Sequence, residues 1–403
     1  MKVTFDSWDR PSCDAISWLS FTSWSALQTC FLKTVFLRDQ EFGEWNRGNP
    51  RSALGVARHQ LIEFVNTKVA DGSPSPSATW IKEQFDLLLR KQWHLLSTEW
   101  APAAVPPIKQ WQDVAYVRHR LVSELARKED AEDDEEGWPS SVLSVVLDVV
   151  SGHLPQGPPP DPSRPATGCS KLEEPVWDSA NKLYGRIDRL ENRDGRLVVT
   201  DYKTAVGQTR SDLVDAHSDQ LLFYANLVAS AFGEWPEIEI QSAASQVVSL
   251  DYSVKQAESL RDLILATRQE FNENLSSGDC WSLAEPSRGA CAWCPFQVVC
   301  PAFIESASTF AADKDSLDRS LSVILGVVKE TRIDDAGLVA ILEQPFSLSL
   351  SEGAISVTRL PKNIAVSPGD VLVASQVEID DSSRVARSRW NSPLRVIKQE
   401  GDP

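Results

Sequence analysis

Polar and apolar positions alternate with period two over Leu183-Tyr184-Gly185-Arg186-Ile187-Asp188. Leu183, Gly185 and Ile187 fall on one side of a strand, and Tyr184, Arg186 and Asp188 on the other. Leu197-Val198-Val199 is a short apolar run rich in β-branched residues, as a buried strand should be. Between the two lies Asp194-Gly195, a dipeptide strongly associated with two-residue hairpin turns. The pattern predicts a hairpin in which 193 pairs with 196 and 192 with 197. The same register puts Asp188 opposite Asp201.

Helical spacing dominates elsewhere. Residues 17–38 read as one helix opening near Thr22 or Ser23, with Cys30 inside it. Asn49-Pro50 breaks the chain, and Ser52 is a candidate cap for a helix carrying Leu54, Leu61, Ile62 and Val65. Ser73-Pro74-Ser75-Pro76 ends that helix, and residues 78–127 read as mostly helical. Residues 213–231 and 253–275 predict helices, and 237–250 one or two strands. From about 320 the pattern changes. Phe346-Ser347-Leu348-Ser349-Leu350 alternates, and Val371-Leu372-Val373 follows the turn signal Pro368-Gly369-Asp370. Short, closely spaced strands suggest a small barrel or sandwich.

Composition narrows the reading. The 403 residues are 42% hydrophobic and include 14 Trp, enough for one large domain and a smaller one. We expect a domain over 1–310 and a small β-barrel-like domain over 320–403. Between them in character stands 128–168, where the acidic run Glu129–Glu136 is followed by six prolines from Pro155 to Pro165. That segment reads as a mobile insertion. No apolar run is long enough to span a bilayer, and the first residues lack a basic-then-apolar signal pattern. A soluble, cytoplasmic protein is expected. The formal charge of −17 argues against general affinity for nucleic acid, though not against a local basic cleft.

The hairpin concentrates charge. Directly paired residues share a face with Cβ atoms about 5 Å apart, so Asp188 and Asp201 would repel each other unless a cation lay between them. Lys203 returns to the Asp201 face two residues later. An exposed hairpin with solvated charges is the bland alternative. His59 lies one helical turn after Gly55 and one before Glu63. A lone helical His is more often a packing residue than a ligand, and a neighbouring Gly permits close approach of another backbone. Gln220 and Tyr224, four apart, share a helix face. His217, near the start of that helix, is the other histidine to watch.

Seven cysteines are present, three of them clustered as Cys291-x2-Cys294-x5-Cys300. Clustered cysteines in a reducing compartment point to metal before disulfides. Their spacing suits zinc and iron–sulfur sites alike. A fourth ligand would come from Cys13, Cys30, Cys169 or Cys280, or from a His in a zinc site.

In this order, the motifs resemble the RecB-type branch of the PD-(D/E)XK nuclease superfamily. The likeness is to its iron–sulfur subset, which includes AddB-type nuclease domains and CRISPR-associated exonucleases. It runs from about residue 17 to 305. Ser23-x3-Leu27-x2-Cys30, Gly55-x3-His59, Gly185-x-Ile187-Asp188-Arg189, Asp201-Tyr202-Lys203-Thr204, Gln220-x3-Tyr224 and the cysteine triplet with Pro301 carry it. The resemblance implies a mixed α/β sheet flanked by helices, a restriction-endonuclease-like core. It implies Mg²⁺ or Mn²⁺ held by His59, Asp188, Asp201 and the Tyr202 carbonyl, with catalysis by Asp188, Asp201 and Lys203. It places Gln220 and Tyr224 at the substrate. It further implies a 4Fe-4S cluster on Cys30, Cys291, Cys294 and Cys300, with structural Zn²⁺ as the alternative. The long 128–168 segment departs from the family pattern, and the tail after 320 lies outside it.

The expected function is therefore a DNA nuclease, an exonuclease acting in repair, recombination or defence. The alternative is a non-catalytic, nucleic-acid-binding scaffold subunit of a helicase–nuclease complex. No Walker A loop is present, so strand unwinding would need a helicase partner.

Overall fold

A computed structural model of the chain describes residues 10–46, 48–70, 73–99, 107–111, 113–126, 164–203, 210–242, 247–276, 278–310, 319–347, 353–362, 364–380, 382–389 and 392–398. The expected insertion lies outside these up to residue 163, as do Thr204 and residues 348–350.

The longer helices are α1 (Phe21–Thr29), α2 (Phe31–Arg38), α3 (Pro50–Ala70), α4 (Ala78–Glu99), α5 (Val114–Leu125), α6 (Arg210–Phe232), α7 (Val254–Ser276) and α8 (Pro301–Phe310). Five strands form one sheet in chain order: β1 (Ser170–Asp178), β2 (Leu183–Arg193), β3 (Arg196–Lys203), β4 (Glu237–Ser242) and β5 (Val247–Ser249). All neighbours are antiparallel except β3 and β4, which are parallel. A parallel pair needs a crossover, and α6 supplies it. The mixed sheet with flanking helices is the expected fold class.

The hairpin forms as the Asp-Gly signal dictates. Asp194 has φ 52° and Gly195 φ 88°, the paired positive values of a type I′ turn. Arg193 pairs with Arg196, Asn192 with Leu197, and the ladder runs to Arg189 and Thr200. Leu183 and Ile187 are fully buried while Arg186 is exposed, as the alternation requires. Strand β1 was not foreseen. Its sequence, SKLEEPVWD, mixes charge and a proline into a strand that pairs on one side only.

Gly185 admits helix α6 against the sheet. A Cβ there would lie 2.9 Å from a Leu227 methyl and 3.2 Å from the Tyr224 ring. Such an overlap forces neighbouring atoms to move. The close approach anticipated at Gly55 is absent, because a Cβ there meets nothing within 4 Å.

Two local expectations change. Residues 17–38 are two helices, not one, because Cys30 breaks the run with extended backbone (φ −173°, ψ 127°). Helix α3 is capped by Asn49 in place of Ser52: its side-chain oxygen accepts the N–H groups of Arg51 and Ser52, both at 3.0 Å.

The main core joins Val176, Ile187 and Val199 of the sheet to Phe36 of α2, Phe223 and Leu227 of α6, and Phe296 and Phe303 near the cysteines. Phe36 stacks on Phe42 at 5.0 Å and on Phe296 at 4.9 Å. Such pairs add about 0.5–1.5 kcal/mol each beyond area burial. A second core binds α3, α4 and α5 together and includes Tyr202 from β3. That contact brings the α3 histidine to the sheet.

The C-terminal strands are β6 (Val323–Asp334), β7 (Gly337–Ser347), β8 (Ile355–Leu360), β9 (Val371–Ser375), β10 (Glu378–Asp380), β11 (Val385–Arg387) and β12 (Leu394–Ile397). They make a seven-stranded sheet in the order β10-β11-β8-β7-β6-β9-β12. It has its own core, yet Leu321, Val323, Leu325 and Val373 belong to the main core. Among the described residues, no helix is long and apolar enough to cross a membrane.

Candidate active site and cysteine pocket

Antiparallel ladders alternate between hydrogen-bonded and non-hydrogen-bonded pairs. Counting back from the turn, the pair after Arg189 and Thr200 that should exchange hydrogen bonds is Ile187 with Tyr202. It does not form. The Asp188 carboxylate intervenes, and its Oδ2 accepts the Tyr202 N–H at 2.7 Å. The pairing that would set Asp188 opposite Asp201 is therefore where the ladder ends. The register is the expected one, but a side-chain oxygen has replaced a backbone bond. A strand residue's N–H and C=O leave from the same edge, so the Tyr202 carbonyl faces the gap this opens.

Asp201 is 2% exposed, and its Oδ2 lies 2.7 Å from the Lys203 ammonium. Among the described residues that oxygen has no hydrogen-bond partner besides this ion pair. Lys203 also donates to Gln220 Oε1 at 2.8 Å, and Gln220 Nε2 donates to the Tyr224 hydroxyl at 2.9 Å. An ammonium can only donate, so it fixes which end of the Gln220 amide faces it. The expected helix stripe does lie beside the acids. Tyr224, however, is 7% exposed and packed in the main core, where it anchors Gln220.

On the other side, His59 Nδ1 is 3.8 Å from Asp188 Oδ1. The imidazole stands edge-on to the Tyr202 ring at 6.2 Å. Helix α3 reaches the sheet through that ring.

Three neighbours add to the set. His217 lies one turn before Gln220 on α6. Burial and the Lys203 charge push its pKa down, against an upward pull from Asp201. The i, i+3, i+7 series His217, Gln220, Tyr224 was the signal that would have placed it. Arg58 is fully buried, with its guanidinium 5.8 Å from the centre of the Tyr202 ring, an arrangement of cation–π type. Nothing in the sequence separates it from a surface arginine. Burial raises the pKa of the Tyr202 phenol, opposed by the charge and hydrogen bond of Arg189.

Among the described residues, no group of three or more His, Cys, Asp or Glu is gathered closely enough to hold a metal ion as it stands. The donors nevertheless suit a hard divalent cation. Among the described residues the buried Asp201 oxygen has only the Lys203 ammonium beside it, and the Asp188 carboxylate lies at the neighbouring Tyr202 N–H. Oxygen-rich sets of this kind are what Mg²⁺ prefers.

Cys30, Cys291, Cys294 and Cys300 line one pocket, with Phe36 and Phe303 among its walls. Of the candidates for a fourth cysteine, Cys13, Cys169 and Cys280 are not among its walls. Cys30 projects from the break between α1 and α2. Cys291 ends a helical turn, Trp293 follows with φ 57°, and Cys300 precedes α8. The Cys300 sulfur accepts the Phe303 N–H at 3.4 Å. Burial pushes the Cys291 thiol up, the Cys294 thiol to about 12, and Cys300 well above its ordinary range. Four cysteines thus line one largely apolar cavity, and one of their sulfurs takes a backbone N–H.

The sequence model of the PD-(D/E)XK nuclease superfamily matches residues 18–301. The chain belongs to the PD-(D/E)XK nuclease superfamily. The match spans α1 through the cysteine triplet, so both sites described above lie within the superfamily region, and β6 to β12 lie beyond it. No curated protein matches the chain. Membership in the superfamily makes nuclease-type hydrolysis its class of activity.

Proposed function

We propose that the chain is a divalent-metal-dependent deoxyribonuclease with its centre at the broken end of the β2–β3 ladder. The observation that carries this is Asp188 and Asp201-x-Lys203 meeting where the ladder opens, with a buried Asp201 oxygen against the Lys203 ammonium. That is the acid, acid and lysine order after which the superfamily is named.

Asp188, Asp201 and the Tyr202 carbonyl would hold Mg²⁺ or Mn²⁺, with His59 on the Asp188 side. When bound, the cation supplies a water of lowered pKa and neutralises charge on the scissile phosphate. Lys203 presents a fixed ammonium where negative charge grows on the phosphate, a contribution worth about 10²–10³ in rate for one donor in comparable sites. Gln220 holds that ammonium on line and Tyr224 holds Gln220, so both act as positioning residues and not as substrate contacts.

In the same reading, Cys30, Cys291, Cys294 and Cys300 hold a 4Fe-4S cluster as a staple. Cys30 and Cys291 are 261 residues apart (291 − 30), and closing so long a loop restricts the unfolded chain. None of the seven cysteines is in a disulfide, which suits the cytoplasm. The resemblance to helicase–nuclease components extends the reading to an exonuclease working beside a helicase in repair, recombination or defence.

End-labelled single- and double-stranded DNA, incubated with Mg²⁺ or Mn²⁺, tests the first part. Wild type should degrade DNA while Asp201→Ala and Lys203→Ala should not. Binding without cleavage by the wild type would favour the scaffold reading. Iron, sulfide and zinc analysis after anaerobic purification tests the second, and a colourless protein with one zinc would refute the cluster.

A further inference from the structure

The tail beyond residue 320 is outside the superfamily match, yet it grips the cysteine loop by its backbone. Gln376, in the turn between β9 and β10, donates from Nε2 to the Cys294 carbonyl at 3.2 Å. Its own N–H is bonded to the Ser322 carbonyl at 2.8 Å. Gln297, 1% exposed and lining the cysteine pocket, donates to the Cys291 carbonyl at 2.7 Å and to the Ser320 carbonyl at 2.5 Å. The Trp293 N–H, between the two cysteines, reaches Ser320 as well, at 3.4 Å. Behind these bonds, Leu321, Val323, Leu325 and Val373 share one core with Phe296, Val298 and Phe303.

Two backbone features show that this contact is held against local preference. Gln376 has φ 55° and Trp293 φ 57°. Non-glycine residues in the left-handed region cost energy, and such positions persist only where surrounding structure fixes them. Both lie where the tail meets the loop. Gln297 Oε1 is buried without a hydrogen-bond partner among the described residues, a further cost. An amide kept in place at that cost, between a cysteine carbonyl and the first residues of the tail, is a joint and not a filler.

We propose that the C-terminal sheet is a bracket for the cysteine loop. Gln376 and Gln297 are positioning residues: they fix the Cys294 and Cys291 carbonyls and so keep the thiols of Cys291, Cys294 and Cys300 turned into the pocket shared with Cys30. The inference rests on the cluster reading only for what fills the pocket. The bracket itself is a statement about the loop.

Gln376→Gly is the informative variant. Glycine relieves the left-handed backbone while removing the amide, so a loosened loop cannot be blamed on a strained turn. Gln376→Asn keeps an amide that tolerates this backbone but falls short of Cys294. In the full chain stripped of metal, alkylation of each cysteine by iodoacetamide is followed by mass spectrometry. Cys291 and Cys294 should label roughly threefold to tenfold faster in both variants, the loss of about one hydrogen bond. Cys13 and Cys280, outside the loop, should label at the wild-type rate. In the protein as purified, transfer of iron or zinc to a chelator should accelerate by a similar factor. Labelling of Cys291 and Cys294 at wild-type rates in Gln376→Gly would overturn the bracket. A wild type that carries neither metal would defeat the cluster reading alone, because labelling still decides the bracket.

Discussion

The acid cleft and the cysteine pocket bury comparable chemistry by opposite means. In the cleft, Asp201 is 2% exposed and Lys203 meets it at 2.7 Å. Charge is matched within three residues of sequence, and a helix positions the cation through Gln220. In the cysteine pocket, burial lifts the Cys294 thiol to about 12 although Lys33 pulls it down. Burial likewise opposes ionisation of Cys291 and Cys300, and a bound cation is what would favour the thiolates. The cleft is thus built by the fold, whereas on the cluster reading proposed above the pocket would be completed by its ligand. The first should fail chemically when altered, and the second should fail structurally.

The sharpest way to break that contrast is at Lys203. Lys203→Ala should lower DNA cleavage per folded molecule by about 10²–10³-fold in single-turnover assays, beyond the Tm loss expected from leaving buried Asp201 without its partner cation. Near-wild-type cleavage would remove the lysine from the chemistry. On the pocket side the order reverses. Phe296→Ala, in the stack beside the cysteines, should cost roughly 3–5 kcal/mol, read from denaturant unfolding. Per-molecule activity of the folded fraction should be nearly unchanged.

Gly185→Ala tests the seam between the two. Its Cβ would press on Leu227 and Tyr224, so we expect a loss of about 1–3 kcal/mol. Because Tyr224 anchors Gln220, cleavage should fall as well, and stability loss without any change in rate would uncouple helix α6 from the lysine. The smallest effect concerns Asp39, which accepts the N–H groups of Glu41, Phe42 and Ser12 at 2.8–2.9 Å. Burial raises its pKa, but these donors outweigh that and hold it below the usual carboxylate range. A depressed pKa contributes stability that is full above the ordinary carboxylate pKa and is lost as pH falls through the folded value. Asp39→Ala should cost about 1 kcal/mol at neutral pH. Its Tm should converge with wild type in acid, and a gap independent of pH would show that the carboxylate charge is not involved.

The cleft was more legible than its surroundings because its parts are local. Asp194-Gly195 fixed a turn, the turn fixed a register, and the register located Asp188 and Asp201. What remained hidden was where the ladder stops, since a carboxylate competing with a backbone carbonyl leaves no trace in periodicity. Strand β1 was hidden because Pro175 and three charged residues before it, Lys171, Glu173 and Glu174, break the strand pattern. The fully buried Arg58 looked like any helical surface charge. Cys30 was expected within a continuous helix, and only tertiary packing breaks that helix to aim it. The tail's strands were visible as alternation, but not their grip on Cys294, which depends on one left-handed glutamine.

The separation of Cys30 from Cys291 also sets a schedule. At about 5–20 residues per second, extending the chain by the 261 residues from Cys30 to Cys291 takes roughly 13–50 s. During that time Cys30 is outside the ribosome with no partner thiol from the triplet. The hairpin is finished well before then. The sheet carrying Gln376 emerges later still. A chain cut before Gln376 would lack the donor to the Cys294 carbonyl, so on the bracket proposal the cysteine loop is latched only after the C-terminal sheet has been made.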